Sequence, residues 1–411
     1  MTLQFQEHEA HPWFEVRDDV LCVGSVPVTE VALRAARTPF YVYDRSVMTR
    51  KVRLLRDALP GDIHIHYAVK ANPMPEVVSH FLGMVDGLDV ASGGELAVAL
   101  AAGASPSGIS FAGPGKSAPE LRQAVEAGVT INAESARELR ELARIGRQTG
   151  RRPLVALRVN PDFELKTSGM KMGGGSRQFG IDAEAVPAIL AEFASMPLEF
   201  RGFHIFSGSQ NLRPEAIIEA QDRTVELALR LADSAPGPVH MLNLGGGLGI
   251  PYFAGERSLD LAPIGRNLAR LLPSIRGRMP AAEFIIELGR FLVGESGLYV
   301  CRVIDRKISR GQVFLVTDGG LHHHLAASGN FGQVLRKNYP VVVASRVRGS
   351  RRETASVVGP LCTPLDLLAD RMDLAEAREG DLVAVLQSGA YGLTASPLGF
   401  LSHPRPAEIL I

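Results

Sequence analysis

Between about residue 60 and residue 290, short runs of apolar and β-branched residues alternate with longer amphipathic stretches. The amphipathic stretches repeat apolar residues at i, i+3 and i+4, which predicts helices with one buried face. Eight strands separated by helices are typical of a parallel (β/α)₈ barrel of the TIM type, whose chemistry lies at the carboxyl ends of the strands. We predict strands over residues 63–70, 87–92, 109–113, 129–133, 154–161, 199–208, 240–246 and 283–290.

After residue 290 the pattern changes to strand-like segments separated by Gly and Pro, without comparable helical periodicity. These segments cover residues 296–308, 312–320, 339–347, 352–360, 380–391 and 407–411. Residues 20–43 are also strand-like, and we expect them to pair with this later region rather than with the barrel. The prediction is an α/β protein with a barrel over residues 44–290 and a β-rich domain formed by residues 1–43 and 291–411. The Gly-rich stretch 168–180 is read either as a loop near an active site or as an inert surface loop.

Charge and cysteine content narrow the class of partner. The chain has 44 basic and 44 acidic residues, which argues against a nucleic-acid or anionic-membrane partner and favours a small molecule. It lacks an apolar run of about 18 residues and a recognisable leader, so we expect a soluble cytoplasmic protein without membrane contact. Cys22, Cys301 and Cys362 lie far apart and suggest neither a disulfide framework nor a zinc site.

Polar and glycine residues crowd the ends of the candidate strands. The first strand ends in YAVKANP, where Lys70 is either a surface lysine or an amine nucleophile at a barrel mouth. The seventh runs into LGGGLGIPY, which is either an ordinary turn or a phosphate-binding loop. The eighth ends in ELGR, so Glu287 and Arg290 are either an ion pair or part of the same site. An amine, a phosphate loop, an arginine and a carboxylate together match what pyridoxal 5′-phosphate (PLP) requires.

A family resemblance rests on twelve segments that occur in the family's order. They are YAVKANP, DVASGGEL, FAGPGK, INAES, RVNP, QFGI, GFHIFSGSQ, NLGGGLGIPY, ELGR, DGG, GPLCTPLD and GAYG. Over nearly its whole length the chain resembles the fold-type III PLP-dependent decarboxylases, the ornithine and diaminopimelate decarboxylase family. DGGLHHHLAASGNFGQ, GPLCTPLDLLADRM and QSGAYGLTASPLGFLSHP are similar to the branch described as exosortase-associated pyridoxal-dependent decarboxylases. The resemblance implies an alanine racemase-like barrel with a C-terminal β domain.

The resemblance also implies roles for individual residues. Lys70 would carry PLP as a Schiff base, and Glu287 would keep the pyridine nitrogen protonated so that the ring accepts electrons. Cys362 would come from the partner subunit of a homodimer with shared active sites and protonate the carbanion, although a buried structural thiol is the alternative. The other implied cofactor contacts are Asp89, Glu95, Phe206, Ser209, Gly245, Gly246, Gly247, Gly289, Arg290 and Tyr391.

Departures from the family pattern bear on the substrate. Phe206 stands where relatives have a histidine that stacks on PLP, while His204 shares its strand face and is a candidate supporting residue. Diaminopimelate enzymes have an acidic residue and an arginine where this chain has Thr363 and Ala326, and ornithine enzymes have an aspartate at the first of these positions. We therefore predict an amino-acid decarboxylase, a carboxy-lyase that releases CO₂, with a less charged or larger substrate such as a carrier-tethered aminoacyl group. Candidate substrate contacts are Thr363, Asp366 and His323.

Other classes of function remain open at this level. A fold-type III racemase would place arginine at the pyridine nitrogen, and Glu287 argues against it. A non-catalytic PLP-binding protein would lack the β domain and the cysteine motif, and a barrel that binds another phosphorylated ligand needs no Schiff base. The run His322–His324 suggests a metal, but neighbouring strand residues point to opposite faces, so we expect a pocket lining and no metal.

Overall fold

The computed structural model describes residue 8 and residues 13–164, 170, 171 and 173–411. Of the predicted Gly-rich loop, residues 168, 169 and 172 lie outside the described residues. The chain divides into a barrel unit, Val52–Gly249 and Leu259–Gly289, and a β-rich unit, Met1–Lys51, Ile250–Ser258 and Arg290–Ile411. Compared with the predicted boundaries, residues 44–51 and 250–258 group with the β-rich unit.

The barrel unit contains a closed parallel barrel of eight strands, as predicted. The eighth strand pairs with the first, with Glu287 opposite His66, and this pairing closes the sheet. Parallel strands are covered on both faces, which explains why they read as nearly continuous apolar runs. The strands are Ile63–Ala68, Gly87–Val90, Ile109–Phe111, Thr130–Ala133, Leu154–Asn160, Glu199–Ile205, Met241–Gly246 and Glu283–Leu288.

Helices alternate with these strands, and three of them begin with the same local signal. The hydroxyls of Ser92, Ser117 and Ser135 each accept a hydrogen bond from the backbone N–H of the glutamate three residues later, which satisfies a free donor of the first turn. Each cap lies directly after a barrel strand end or the loop that follows it. The helices are Arg45–Ala58, Pro75–Leu82, Gly93–Ala101, Ala118–Ala127, Ala136–Thr149, Val186–Phe193, Pro214–Ala232 and Ala262–Arg278.

Short strands pair with segments near the carboxyl ends of the barrel strands. Met170–Lys171 pairs with Gly208–Ser209, and Ile181–Asp182 extends alongside the fifth strand at Val159 and Asn160. No helix in the described part of the chain is long and apolar enough to cross a membrane.

The β-rich unit is built on a mixed sheet. Phe40–Tyr43 pairs antiparallel with the start of Gly297–Ser309, so this N-terminal strand is part of the sheet. Leu367–Ala375, paired with Arg352–Val358, was not predicted, because its polar residues interrupt the apolar pattern. The other sheet strands are Gln312–Thr317, Val341–Val343, Leu382–Val385 and Ala407–Leu410, beside the smaller Val16–Arg17, Val20–Val23 and Val26–Pro27. Two helices, Val28–Arg34 and Arg290–Val293, also belong to this unit.

Candidate active site

Lys70 lies in a single 3₁₀ turn, Val69–Ala71, directly after the first barrel strand, which ends two residues earlier than predicted. Its Nζ is 2.9 Å from Oε1 of Glu287 and 3.2 Å from Oδ2 of Asp89. The lysine side chain is 39% exposed, whereas those of Glu287 and Asp89 are 4% and 0% exposed. The structure thus places an accessible amine over two buried acids, at the carboxyl ends of the first, second and eighth strands.

The pKa values of the two acids shift in opposite directions. Burial, reinforced by the neighbouring Glu287, raises the pKa of Asp89 well above its usual range. Burial alone would also raise the pKa of Glu287, but the charge of Lys70 and the nearby His204 ring outweigh it and hold that pKa well below its usual range. Two adjacent buried carboxyl groups do not both ionise readily. The surroundings therefore favour a proton on Asp89, which also accepts a hydrogen bond from the Ser110 hydroxyl at 3.1 Å, and the negative charge on Glu287.

Glu95 lies at the start of the helix Gly93–Ala101, where its Oε2 accepts the N–H of Ala91 at 2.7 Å. Burial raises the pKa of Glu95, and the charge of Lys70 acts in the opposite direction. Glu95 therefore stabilises the loop after the second strand through a hydrogen bond and interacts electrostatically with Lys70.

Close packing surrounds the glycine run after the seventh strand. Gly247 has a left-handed backbone, φ +80°, and a Cβ there would lie 2.3 Å from the carbonyl oxygen of Gly208; a Cβ at Gly246 would lie 2.0 Å from that of Glu287. Neither position admits a side chain. This packing between the sixth and eighth strand ends explains the glycines by itself, so their predicted phosphate contact, with that of Gly245, stays a prediction. Gly289 is similarly close to the Lys70 turn, with a Cβ position 2.7 Å from Cβ of Ala71.

The sixth strand brings His204, Phe206 and Ser209 to the same end of the barrel. The rings of His204 and Phe206 lie edge to face with centroids 6.5 Å apart, and Phe206 packs over Gly245. Ser209 is partly exposed in the short strand Gly208–Ser209. These positions agree with the expectation that His204 and Phe206 share a face.

Several buried polar atoms in the barrel strands have no hydrogen-bond partner among the described residues. They include both amide atoms of Asn132, Nδ2 of Asn243, Nδ1 of His66, both ring nitrogens of His204 and Oε2 of Glu287. Unpaired buried polar atoms are rare in proteins, and where they cluster they indicate a bound polar group or water. A buried polar lining, an amine and an ionised carboxylate are the groups that PLP requires, so the residues present fit this cofactor.

Arg290 and Tyr391, both predicted phosphate contacts, lie in the β-rich unit. The Arg290 guanidinium donates to the hydroxyl of Tyr252 at 2.9 Å and lies 4.7 Å from the ring centroid of Tyr391. The two residues are thus close together, and their contact with the phosphate stays a prediction.

The predicted substrate contacts differ in how their polar atoms are used. The carboxylate of Asp366 accepts the N–H of Leu321 at 2.6 Å and that of Leu361 at 2.9 Å. Asp366 therefore joins two loops, and both its oxygens are used within the unit. Thr363 is partly exposed and Cys362 is exposed in the second of these loops, so the alternative of a buried thiol at Cys362 is wrong.

The strand geometry assumed for His322–His324 is wrong, because these residues lie in a turn in which the N–H groups of His323 and His324 both point to the carbonyl of Gly320. His323 has Nδ1 3.2 Å from the Tyr299 hydroxyl and Nε2 3.1 Å from the carbonyl of Pro404. Its ring nitrogens are thus occupied within the unit, which argues against the predicted contact between His323 and substrate.

Sequence reasoning missed a second buried charge cluster in the barrel unit. Lys116 donates to the carbonyls of Gly113 and Asn132 and to the Glu138 carboxylate, 3.1 Å away. Arg158 donates to Glu134 at 2.6 Å. Charged residues at the ends of the segments FAGPGK, INAES and RVNP were the available signal.

Comparison with known proteins also points to a PLP-binding enzyme. Residues 45–294 match the family described as "Pyridoxal-dependent decarboxylase, pyridoxal binding domain". The chain is 41% identical to the L-glutamyl-[BtrI acyl-carrier protein] decarboxylase of Niallia circulans, over 91% of this chain and 88% of that one. It is 33% identical to the diaminopimelate decarboxylase of Aquifex aeolicus, over 98% of this chain and 93% of that one.

A solved structure shows the same architecture. Diaminopimelate decarboxylase from Helicobacter pylori, complexed with L-lysine, aligns with a TM-score of 0.82 at 28% identity, covering 93% of this chain and 94% of that one. With a closed barrel, a β-rich unit and a lysine over two buried acids, the chain belongs to the pyridoxal-dependent decarboxylase family and is a fold-type III, PLP-dependent carboxy-lyase.

Proposed function

We propose that Lys70 is the residue that carries PLP and that the enzyme decarboxylates an amino acid attached to a carrier protein through its side-chain carboxyl group, which leaves the α-carboxylate free to depart as CO₂. The observation behind the first part is the position of the accessible Lys70 amine over two buried carboxyl groups, those of Glu287 and Asp89. When bound, PLP supplies a pyridinium ring that takes up the electron pair left by departing CO₂.

The residues of the chain have separate roles in this proposal. Glu287 keeps the ring nitrogen protonated, because an ionised carboxylate in a buried site stabilises an adjacent positive charge. Asp89 keeps the Lys70 amine in place without adding a second negative charge. The resemblance assigns the phosphate to Ser209, the glycine run and Gly289, together with Arg290 and Tyr391.

The substrate proposal rests on the charges that the β-rich unit makes available. Asp318 accepts hydrogen bonds from the N–H of Arg302 and the hydroxyl of Thr38, and Asp366 accepts two backbone N–H groups. Thr363 and Ala326 are uncharged where diaminopimelate enzymes have charged residues. At these four described positions a charged far end of the substrate would meet no uncommitted charged side chain, whereas an amino acid joined to a carrier through its side-chain carboxyl has a neutral thioester there. The similarity to a decarboxylase named for a carrier-bound glutamyl substrate supports this choice.

The test is CO₂ release from free and carrier-bound substrates. We expect kcat/KM for an aminoacyl group on a carrier protein to exceed that for free L-glutamate or meso-diaminopimelate by about 100-fold or more, as a polar mismatch in a closed site allows. Lys70→Ala is the inactive control, and borohydride reduction of the holoenzyme should leave PLP on the peptide that contains Lys70. Faster turnover of free diaminopimelate would overturn the substrate proposal, and trapping at another lysine would overturn the role of Lys70.

We also propose a homodimer with Cys362 at its interface. Four exposed apolar residues, Phe331, Val334, Leu335 and Leu365, occupy neighbouring loops, with exposed fractions of 48%, 99%, 78% and 58%. The Asn330 side chain links these loops through the carbonyl of Leu365. Exposed apolar patches of this kind mark association surfaces, and Cys362 lies three residues before Leu365.

A subunit-mixing experiment tests the shared site. Cys362→Ala and Lys70→Ala, each inactive alone, should recover activity when mixed, because one hybrid site then has both groups. Leu335→Asp should yield monomers in sedimentation velocity. Ile308→Asp, at a position that is 61% exposed in the strand Gly297–Ser309, should not. No recovery on mixing would contradict the shared site.

A cytoplasmic location is proposed on chemical grounds. Cys22, Cys301 and Cys362 are all free thiols, and a reducing compartment keeps them so.

A further inference from the structure

His204 lies on the sixth barrel strand with its ring beside Glu287. Its Nε2 is 3.4 Å from Oε2 of Glu287, while Oε1 of the same carboxylate is 2.9 Å from Nζ of Lys70. The histidine and glutamate side chains are 2% and 4% exposed, so water competes little for this contact. The carboxylate therefore accepts a hydrogen bond from the amine through one oxygen, while its other oxygen faces the imidazole without a formed hydrogen bond.

The contacts of the Glu287 carboxylate with Lys70 and with His204 differ in whether they persist when the cofactor is bound. Under the proposed function, the Lys70 nitrogen is committed to the cofactor, which releases Oε1 from the ammonium. His204 has no such second commitment, because it is fixed within the sheet opposite Arg158 and Asn243 and neither of its ring nitrogens makes a hydrogen bond among the described residues. Oε2 of Glu287 also lacks a hydrogen-bond partner among these residues, so Nε2 of His204, 3.4 Å away, is placed to become that partner.

We propose that His204 is a positioning residue for decarboxylation: its Nε2–H donates to Oε2 of Glu287 and so presents Oε1 to the ring nitrogen of PLP. This inference rests on the proposed role of Glu287. A histidine on a strand can do this because residues two apart share a face, which also places Phe206 at the same side of the barrel.

The state of the imidazole follows from its surroundings. Burial lowers the pKa of His204, opposed by the hydrogen bond and charge of Glu287 and by Glu134, and supported by Arg158. The other ionisable groups facing Glu287 are Lys70 and Asp89, with His66, itself held neutral by burial with a pKa of about 4. A neutral imidazole has one N–H, and only the form with the proton on Nε2 can donate to the carboxylate. The opposite tautomer would set a lone pair against it.

A double-mutant cycle separates this role from simple packing. His204→Leu should lower kcat about 10- to 100-fold, the usual range for residues that orient a functional group, with KM little changed. His204→Gln retains a side-chain N–H donor and should keep more of the rate. In the Glu287→Gln background, His204→Leu should cost no more than about twofold, because groups that act as a unit are not additive. Equal losses in both backgrounds would overturn the proposal.

A second measurement does not depend on turnover. Ring-¹⁵N-histidine spectra of the full chain, with and without PLP, should contain a neutral ring protonated on Nε2 that is absent from His204→Gln. This ring should not titrate between about pH 5.5 and 8.5, a range that includes the ordinary histidine pKa of about 6.5. A ring that titrates there, or that carries its proton on Nδ1, would overturn the inference. Failure of decarboxylation on every substrate would count against the proposed function, whereas the NMR spectra would still report the tautomer of His204.

Discussion

Lys70 and Lys116 each follow a barrel strand, and their surroundings differ. Lys116, in the loop after the third strand, has a side chain only 2% exposed that donates to two carbonyls and to one carboxylate, Glu138. Lys70, after the first strand, is 39% exposed and faces two buried acids whose pKa values shift in opposite directions. Three donors directed to three fixed acceptors leave Lys116 no capacity for chemistry, since an ammonium has only three N–H bonds. The comparison shows that exposure of the amine, rather than position at a strand end, separates a structural lysine from a reactive one.

The largest effect is expected at Lys70. Lys70→Ala should reduce turnover below detection and remove the visible absorbance of the bound cofactor, because Lys116 cannot replace the amine. Stability should change by less than about 1 kcal/mol, as for most partly exposed substitutions. Cofactor absorbance, CO₂ release and urea unfolding measure the three quantities. Residual turnover in the purified variant would show that Lys70 is not the only lysine able to react with the cofactor.

The reverse pattern is expected at Lys116. Lys116→Ala should destabilise the protein by about 3–5 kcal/mol, because it leaves the buried Glu138 carboxylate without its cation. Cofactor absorbance should persist in the fraction that folds. Lys307→Ala, at an exposed position, is the matched control and should stay within about 0.5 kcal/mol of the parent. Loss of the cofactor band in folded Lys116→Ala would break the distinction.

The cluster around Lys116 should also contribute an acid-sensitive part of stability. Burial opposes ionisation of Glu134, but Arg158 and the N–H of Gly180 outweigh it and lower its pKa. Because the pKa is lower in the folded than in the unfolded chain, this stabilisation is present above the ordinary glutamate pKa of about 4.3 and is lost as pH falls below it. Glu134→Gln should cost about 1–3 kcal/mol at pH 7, and its difference from the parent should shrink between about pH 5 and pH 3 in urea titrations. A constant difference would contradict the assignment.

The smallest effect is expected at Ser110, which donates to Asp89. Ser110→Ala removes one hydrogen bond to an acid that is already protonated, so the loss should be about 1 kcal/mol of stability. We expect kcat to fall less than about fivefold, the rate equivalent of 1 kcal/mol. A loss as large as that of Glu287→Gln would show that Ser110 takes part in proton transfer.

Much of the barrel could be predicted from the sequence, because its strands are buried on both faces and appear as apolar runs. Leu367–Ala375 was missed since its Asp370, Arg371 and Asp373 hide the strand pattern. The turn at His322–His324 was also missed. It depends on the Gly320 carbonyl and on Asp366, which accepts the N–H of Leu321 from 45 positions away in the sequence.

The sequence by itself determined which chemical groups reach the rim of the barrel, because a residue that ends a parallel strand is placed there by local structure alone. Only the tertiary structure decided what each group does. Lys70 meets Asp89 across 19 positions of sequence and Glu287 across 217, and burial beside one another shifts the pKa values of the two acids in opposite directions. The exposure of an amine and the pKa of an acid are set by neighbours in space, so the strand that closes the barrel had to be in place before either could be known.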